Sequence, residues 1–219
     1  GIIEKVTYPT EHVSPIVVAP KPNGGVRICQ DYRNINKYTK RPWYPMKTPR
    51  EVIDRLPPKA RFFTTFDAKN GYWMLPLHLD SQDLTTFICF SGRYKFLRAP
   101  MGLNVVQDDF DCKFDMAFEG MPNTGILRED GCIADEDFEE HMAHAEEALL
   151  RCRKNGITLN KKKFFCAREK VDFLGYKLSS KGIEYDPAKI DSIQILDSKK
   201  IYKSKDINTI TVHDVFKLI

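Results

Sequence analysis

Residues 126–141 read "ILREDGCIADEDFEEH", and this stretch decides the architecture. Glu129 and Asp130 stand side by side between two short apolar runs, which makes them the turn of a strand–turn–strand unit. A dense acidic cluster, Asp135–Glu140, follows and reads as the solvated start of a helix, where acidic side chains complement the dipole. That helix runs from about Glu136 to Lys154, with Phe138, Met142, Ala145, Leu149 and Cys152 spaced by four and three, and Asn155-Gly156 as its stop. The acidic pair has three readings at this point: a metal-binding catalytic element, its damaged remains, or a solvated turn.

Upstream, "ARFFTTFDAKNGYWMLPLHL" (60–79) is aromatic and β-branched up to Asp67 and breaks at Asn70-Gly71. It resumes with Trp73, Leu75, Leu77 and Leu79, giving strand, turn, strand. "TTFICFSGRYKFLRAP" predicts a hairpin about Ser91-Gly92, and "SPIVVAPKPNGGVRICQDYR" another about Pro22-Asn23-Gly24-Gly25. A short helix starts near Thr48-Pro49 and ends at Pro57-Pro58. From Asn104 the spacing turns helical. Val106, Phe110, Phe114, Ala117 and Phe118 form a core stripe, Asp108, Asp109, Asp111 and Asp115 lie opposite, and Gly120 and Pro122 close the helix.

Downstream, "ITLN", "KVDFLGYKLSS" and "GIEYD" read as short strands, and Asp186-Pro187 as the cap of a last helix. The expected fold is α+β, a mainly antiparallel sheet with helices collected on one face. Strand neighbours sit about 4.8 Å apart, so the end of the Asp67 strand and the Glu129-Asp130 turn can unite three carboxylates without any contiguous motif. Three acids at one point require a compensating cation, and Mg²⁺ suits such a set.

The 219 residues, 42% of them hydrophobic, suffice for one large domain or two small lobes. The chain begins at Gly1 without a methionine, as a fragment of a longer protein would. Six dispersed cysteines without a C-x-x-C pair read as reduced core thiols and place the protein inside the cell, cytoplasmic or nuclear, not secreted. No apolar run is long enough for a membrane span, so no membrane partner is expected. The net charge of +4 hides opposing blocks: residues 1–70 carry 13 basic against 6 acidic side chains, 128–150 carry 1 against 9, and 151–205 carry 15 against 6. An acidic island between basic regions matches either a polyanion groove around a cation site or plain solvated faces. His141 and His144 lie three apart on a helix, but no cysteine or third histidine stands at zinc spacing. They read as helix surface.

Five stretches taken together resemble the reverse transcriptase domain of Ty3/gypsy-type long-terminal-repeat retrotransposons. They are "VRICQDYRNINK" (26–37), "FDAKNGYWMLPL" (66–77), "YKFLRAPMGL" (94–103), "GITLNKKKFF" (156–165) and "VDFLGYKLSSKGI" (171–183). The resemblance covers roughly residues 1–192. It implies fingers (mainly 1–60 and 78–100) and a palm, followed by a divergent lysine-rich tail, 193–219, with no recognisable thumb, RNase H or integrase. The other domains of such a polyprotein are expected to be missing from this chain.

The implied activity is template-directed transfer of deoxynucleotides from their triphosphates to a primer 3′-hydroxyl, on RNA or DNA, with two Mg²⁺ ions or Mn²⁺ in their place. The implied catalytic acids are Asp67, Glu129 and Asp130, with the Ala68 carbonyl helping to hold metal. Tyr72 matches the aromatic residue that blocks a 2′-hydroxyl, Lys21 and Arg27 match basic positions that hold the triphosphate, and Lys163 falls in the loop near it. Met101 and Gly102 match the turn beneath the templating pair. Phe173, Leu174, Gly175 and Tyr176 match the primer-positioning hairpin. Asp31, Arg33 and Asn36 are expected to fix the fingers hairpin to the sheet.

The sequence departs from the family at its second acidic element, normally an aromatic residue, any residue and two aspartates. Here Leu127, Arg128, Glu129 and Asp130 stand there, and Gly131-Cys132 replaces a bulky aliphatic pair. Glutamate adds about 1.5 Å of reach where Mg²⁺ tolerates little departure from octahedral geometry. An impaired polymerase is therefore expected. The alternative is a defective remnant that binds primer–template without extending it.

Overall fold

A computed structural model describes residues 1–20 and 24–185, apart from the side chain of Arg27. Lys21, the Asp186-Pro187 cap and the 193–219 tail lie outside the described residues. The chain opens with β1 (Ile3–Val6), β2 (Ile16–Pro20) and β3 (Val26–Gln30). The last two pair antiparallel from Ile16↔Gln30 to Pro20↔Val26, the expected hairpin. Helix α1 (Pro49–Ile53) begins with a reciprocal cap: the Thr48 hydroxyl accepts from the Glu51 amide, and the Glu51 carboxylate accepts from the Thr48 amide.

Strand β4 (Phe62–Asp67) is buried on both faces except at its first residue. The second strand expected over Trp73–Leu79 is absent. Asn70 takes a left-handed φ of 54°, a 3₁₀ turn spans Gly71–Met74, and α2 (Leu79–Gln82) follows. The apolar residues there do not share a face: Leu75 is buried and Leu79 is 76% exposed. Strands β5 (Phe87–Cys89) and β6 (Gly92–Phe96) form the second expected hairpin, and β1 adds to β6 to complete a three-stranded sheet.

Helix α3 (Asn104–Ala117) buries the expected stripe, with Phe110, Phe114 and Phe118 in a chain of ring contacts. Asp108 departs from its expected outer face. It is buried, and the Arg41 guanidinium holds it in a two-pronged pair with both contacts at 2.9 Å.

Strands β7 (Thr124–Leu127) and β8 (Asp130–Asp135), helix α4 (Phe138–Lys154) and β9 (Phe165–Arg168) complete a four-stranded sheet ordered β7-β8-β4-β9. "ITLN" contributes a single bridge, Ala68↔Leu159, instead of a strand. Strands β10 (Lys170–Phe173), β11 (Tyr176–Ser179) and β12 (Gly182–Tyr185) form a separate antiparallel sheet.

Side chains alternate between faces along β4 and β8. Phe66 and Ile133 meet α3 and α4 on one face. Phe63, Cys132 and Ala134 meet α1, Val171, Phe173 and Leu178 on the other. The two long helices therefore share a face, as expected, while α1 joins the opposite one. The stripe of α4 also shifts: Ala145 and Cys152 are buried as expected, but His141 and Ala148 fill the remaining places, leaving Phe138, Met142 and Leu149 exposed.

Candidate active site

Asp67 ends β4 and Asp130 begins β8, and the two are direct antiparallel partners. Their Cα atoms are thus about 4.5–5.5 Å apart. The β7–β8 hairpin turns through Arg128-Glu129, closing at Leu127↔Asp130, with Arg128 at a φ of 53° that only a small fraction of non-glycine residues adopt. The Ala68 amide donates to the Glu129 carbonyl at 2.8 Å, extending the ladder one step past the acids and tying the turn to β4. Strand pairing thus brings 67, 129 and 130 together, although 62 residues separate the first from the second.

Lys163 donates to the Asp67 carboxylate at 2.5 Å, and the Asn160 amide side chain reaches its other oxygen at 3.4 Å. The Asn160 backbone amide donates to the Asp67 carbonyl at 2.8 Å, so the loop after α4 is fastened to the end of β4. Burial, followed by the charges of Asp67 and Asp130, pushes the Glu129 carboxyl above its ordinary range. Burial and the charge of Asp67, its cross-strand partner, do the same for Asp130. The Lys163 ammonium offsets part of this, and its hydrogen bond to Asp67 raises its own pKa. The cluster carries more negative charge than one lysine balances.

Tyr72 borders the same space. A Cβ on neighbouring Gly71 would lie 2.7 Å from the Phe110 ring and 3.4 Å from Glu129 Cγ, so the backbone passes close beneath both. The Tyr72 hydroxyl donates to Gln107, its ring meets Phe110 edge-on, and burial, then the Glu129 charge, raises its pKa. Gly102 has a φ of 100°, which by itself accounts for glycine there, and a side chain would face the Gln30 carbonyl at 3.4 Å. With Met101 it precedes α3.

Asn36 holds that turn: its amide donates to the Gly102 carbonyl at 2.9 Å and its side-chain oxygen accepts from the Asn104 amide at 3.0 Å. Asn36 therefore ties its segment to the start of α3 rather than to the hairpin. Asp31 and Arg33 pair with one another at 2.6 Å. Arg27 sits opposite Ala19 on β3, away from the acids in sequence and sheet. Phe173 and Tyr176 close the β10–β11 hairpin, whose turn residues Leu174 and Gly175 both have positive φ, 51° and 80°.

Sequence reading missed Asn160, although it lies inside a quoted motif, because the three adjacent lysines drew attention to charge. It also missed Gln107, which fixes Tyr72 and donates to Asp111 at 2.7 Å one helical turn on. His141 is a further correction. It is fully buried, between Thr64 at 2.7 Å and Asp135 at 2.7 Å, and Asp135 is itself fully buried rather than part of a solvated helix start.

A strand-borne acid paired across the sheet with an acidic hairpin turn, under a basic loop, defines a polymerase-type palm, and the comparisons agree. Residues 19–178 match the family model described as reverse transcriptase (RNA-dependent DNA polymerase), and the chain belongs to that family. It is 32% identical over 203 residues to the retrovirus-related Pol polyprotein from transposon 412 of Drosophila melanogaster, covering 88% of this chain and 16% of that protein. It is 29% identical to the enzymatic polyprotein of Cauliflower mosaic virus (strain Strasbourg), covering 80% of the chain and 26% of the relative.

Among solved structures, the foamy viral protease-reverse transcriptase in complex with double-stranded DNA aligns with a TM-score of 0.82 and 25% identity, over 88% of this chain and 34% of that one. The same viral protein in complex with an RNA/DNA hybrid aligns at 0.80, over 89% of this chain and 26% of that one. The fold is that of reverse transcriptase fingers and palm. The chain spans less than a third of the length of these polyprotein relatives.

Proposed function

We propose that this chain is the fingers and palm of a retroelement reverse transcriptase that adds deoxynucleotides to a primer 3′-hydroxyl under the direction of an RNA or DNA template. The observation that carries the reading is the Asp67↔Asp130 pairing with Glu129 in the adjoining turn. The donor set is all oxygen, which fits a hard divalent cation. Asp67, Glu129 and Asp130, with the Ala68 carbonyl, would hold two Mg²⁺ ions, or Mn²⁺, which would activate the primer hydroxyl and neutralise the phosphates.

The remaining roles fall to the chain itself. Lys163, with Lys21 and Arg27, neutralises the triphosphate. The Tyr72 ring, braced by Gln107 and Phe110, excludes a ribose 2′-hydroxyl. The Met101-Gly102 turn supports the templating pair, and the Phe173–Tyr176 hairpin orients the primer end. Residues 1–60 and 78–100 form the fingers, and the neighbouring polyprotein domains and an intracellular setting complete the reading.

Glu129 impairs this chemistry. Its carboxylate reaches past the position an aspartate would hold, and a misplacement of ~1 Å costs on the order of a hundredfold in rate. Arg128 does not add to this, since its guanidinium turns to Met46 Sδ at 3.6 Å. The reach of Glu129 favours, as a second reading, a remnant that binds primer–template without extending it. Primer extension on poly(rA)/oligo(dT) with Mg²⁺ and then Mn²⁺ separates the two. We expect Glu129→Asp to gain extension by roughly that hundredfold. If neither chain extends while both bind duplex, the binding-only reading holds.

A further inference from the structure

The far end of β8 carries a second cluster that the polymerase reading leaves unused. Asp130 and Asp135 are five residues apart on one strand, so they point to opposite faces of the sheet. Asp135 lies against α4, fully buried. One of its oxygens meets His141 Nδ1 at 2.7 Å, and His141 Nε2 meets the Thr64 hydroxyl at 2.7 Å. The other oxygen accepts from the Asn123 amide at 2.6 Å and lies 2.9 Å from His144 Nδ1. Glu140 and His144 are one turn apart on α4 and share a face. One ligand atom from each of Asp135, Glu140 and His144 lies within 4.8 Å of the others.

We propose that Asp135, Glu140 and His144 form a site for a divalent first-row transition ion of the Zn²⁺ class, which clips the end of β8 to the opening turns of α4. One imidazole and two carboxylates make a borderline donor set, distinct from the all-oxygen set that suits Mg²⁺. Donors about 2.0–2.2 Å from a tetrahedral ion lie about 3.3 Å apart. The Asp135–His144 pair is already near that separation, and Glu140, exposed on a long side chain, closes the remaining distance by rotation. With its proton on Nε2, His144 presents the Nδ1 lone pair, and the ion takes the place of the present hydrogen bond.

The supporting contacts are those such sites need. His141 and Asn123 fix the Asp135 carboxylate, and Thr64 in turn fixes the His141 ring. Glu140 is exposed and the His144 side chain is 17% exposed, which leaves an entry path. The sequence reading passed over this set because it sought cysteine or a third histidine and counted neither acid as a ligand. The inference stands independently of polymerase activity.

The test is Co²⁺ and Zn²⁺ titration of the full chain, read by calorimetry, by visible absorption of Co²⁺ and by the His144 ring resonances in NMR. One ion should bind at this cluster, apart from any taken up at the Asp67 site, shift those ring signals and raise the melting temperature. His144→Ala should weaken binding by about a hundredfold, since loss of even a supporting contact costs ~10–100-fold. Glu140→Gln, at an exposed position that leaves the fold intact, should weaken it by about tenfold. A chain carrying Asp67→Asn and Glu129→Gln should keep the Co²⁺ spectrum. No binding, or binding that survives His144→Ala but is lost in the Asp67/Glu129 chain, overturns the proposal.

Discussion

Glu129 and Gly131 flank Asp130, and the structure sets them in different surroundings. Glu129 sits in the turn, where its extra length changes where the charge falls. Gly131 sits in β8 directly opposite Phe66, and the Phe66 ring lies across it. A Cβ at 131 would stand 2.2 Å from Phe66 Cζ and 2.9 Å from Ile126 Cδ1. The space a side chain at 131 would take is filled from the neighbouring strand, and Phe66 stacks on Phe118, just past the end of α3, at 5.3 Å. Gly131→Val should cost about 1–3 kcal/mol through overpacking, read as a lower denaturation midpoint with unchanged slope. Pairing it with Phe66→Leu should recover part of that loss, because neighbours sharing one space are not additive. Equal losses in the single and double variants would show that the ring does not occupy the space.

At the scale of elements, β8 organises the palm: an acid at each end, each on its own face. The Asp135 end is a stability device that acid should dismantle. Burial alone would raise the Asp135 carboxyl, but hydrogen bonds from His141, Asn123 and His144 outweigh it and hold it below the ordinary range. A carboxyl whose folded pKa is lowered stabilises the fold above its unfolded value, and the contribution fades as pH falls through the folded one. With a chelator present, Asp135→Asn should therefore lose about 2–4 kcal/mol at neutral pH, by leaving buried donors badly paired. The gap from the parent chain should narrow below the usual carboxylate range. A gap that stays constant into acid would remove the carboxylate from the account.

The same elements mark how far the sequence could be read. The hairpin tip about Ser91-Gly92 and the core stripe of α3 followed from local spacing and turn chemistry, whereas the turn expected at Glu129-Asp130 falls one residue earlier, with Asp130 already on β8. Local spacing allowed the three acids to meet, but only the family resemblance assigned them to one site. Residues 73–79 and the α4 stripe did not, because their apolar side chains satisfy two periodicities and packing chose between them. His141 looked like surface because its partners, Thr64 and Asp135, come from two different strands. Asn160 and Gln107 gave no signal, since neither is charged and each acts through a partner more than thirty residues away.

Across the whole molecule, charge is segregated along a chain whose strands then bring the segments side by side. The basic loop at 161–163 reaches the acidic end of β4, where Lys163 meets Asp67. If primer–template lies against that surface, its phosphates meet lysine and arginine side chains and displace counterions, and affinity must fall as salt rises. A protein neutralising 6–10 phosphates loses about 10³–10⁵ in affinity between 50 and 200 mM salt. Fluorescence anisotropy with a labelled RNA/DNA hybrid over that range should show a decline of this order, with the same slope for Glu129→Asp, since that substitution leaves the charge unchanged and the slope counts phosphates neutralised by basic side chains. A flat response would mean that the basic blocks face solvent rather than a duplex, and would remove the groove from both the active and the binding-only readings.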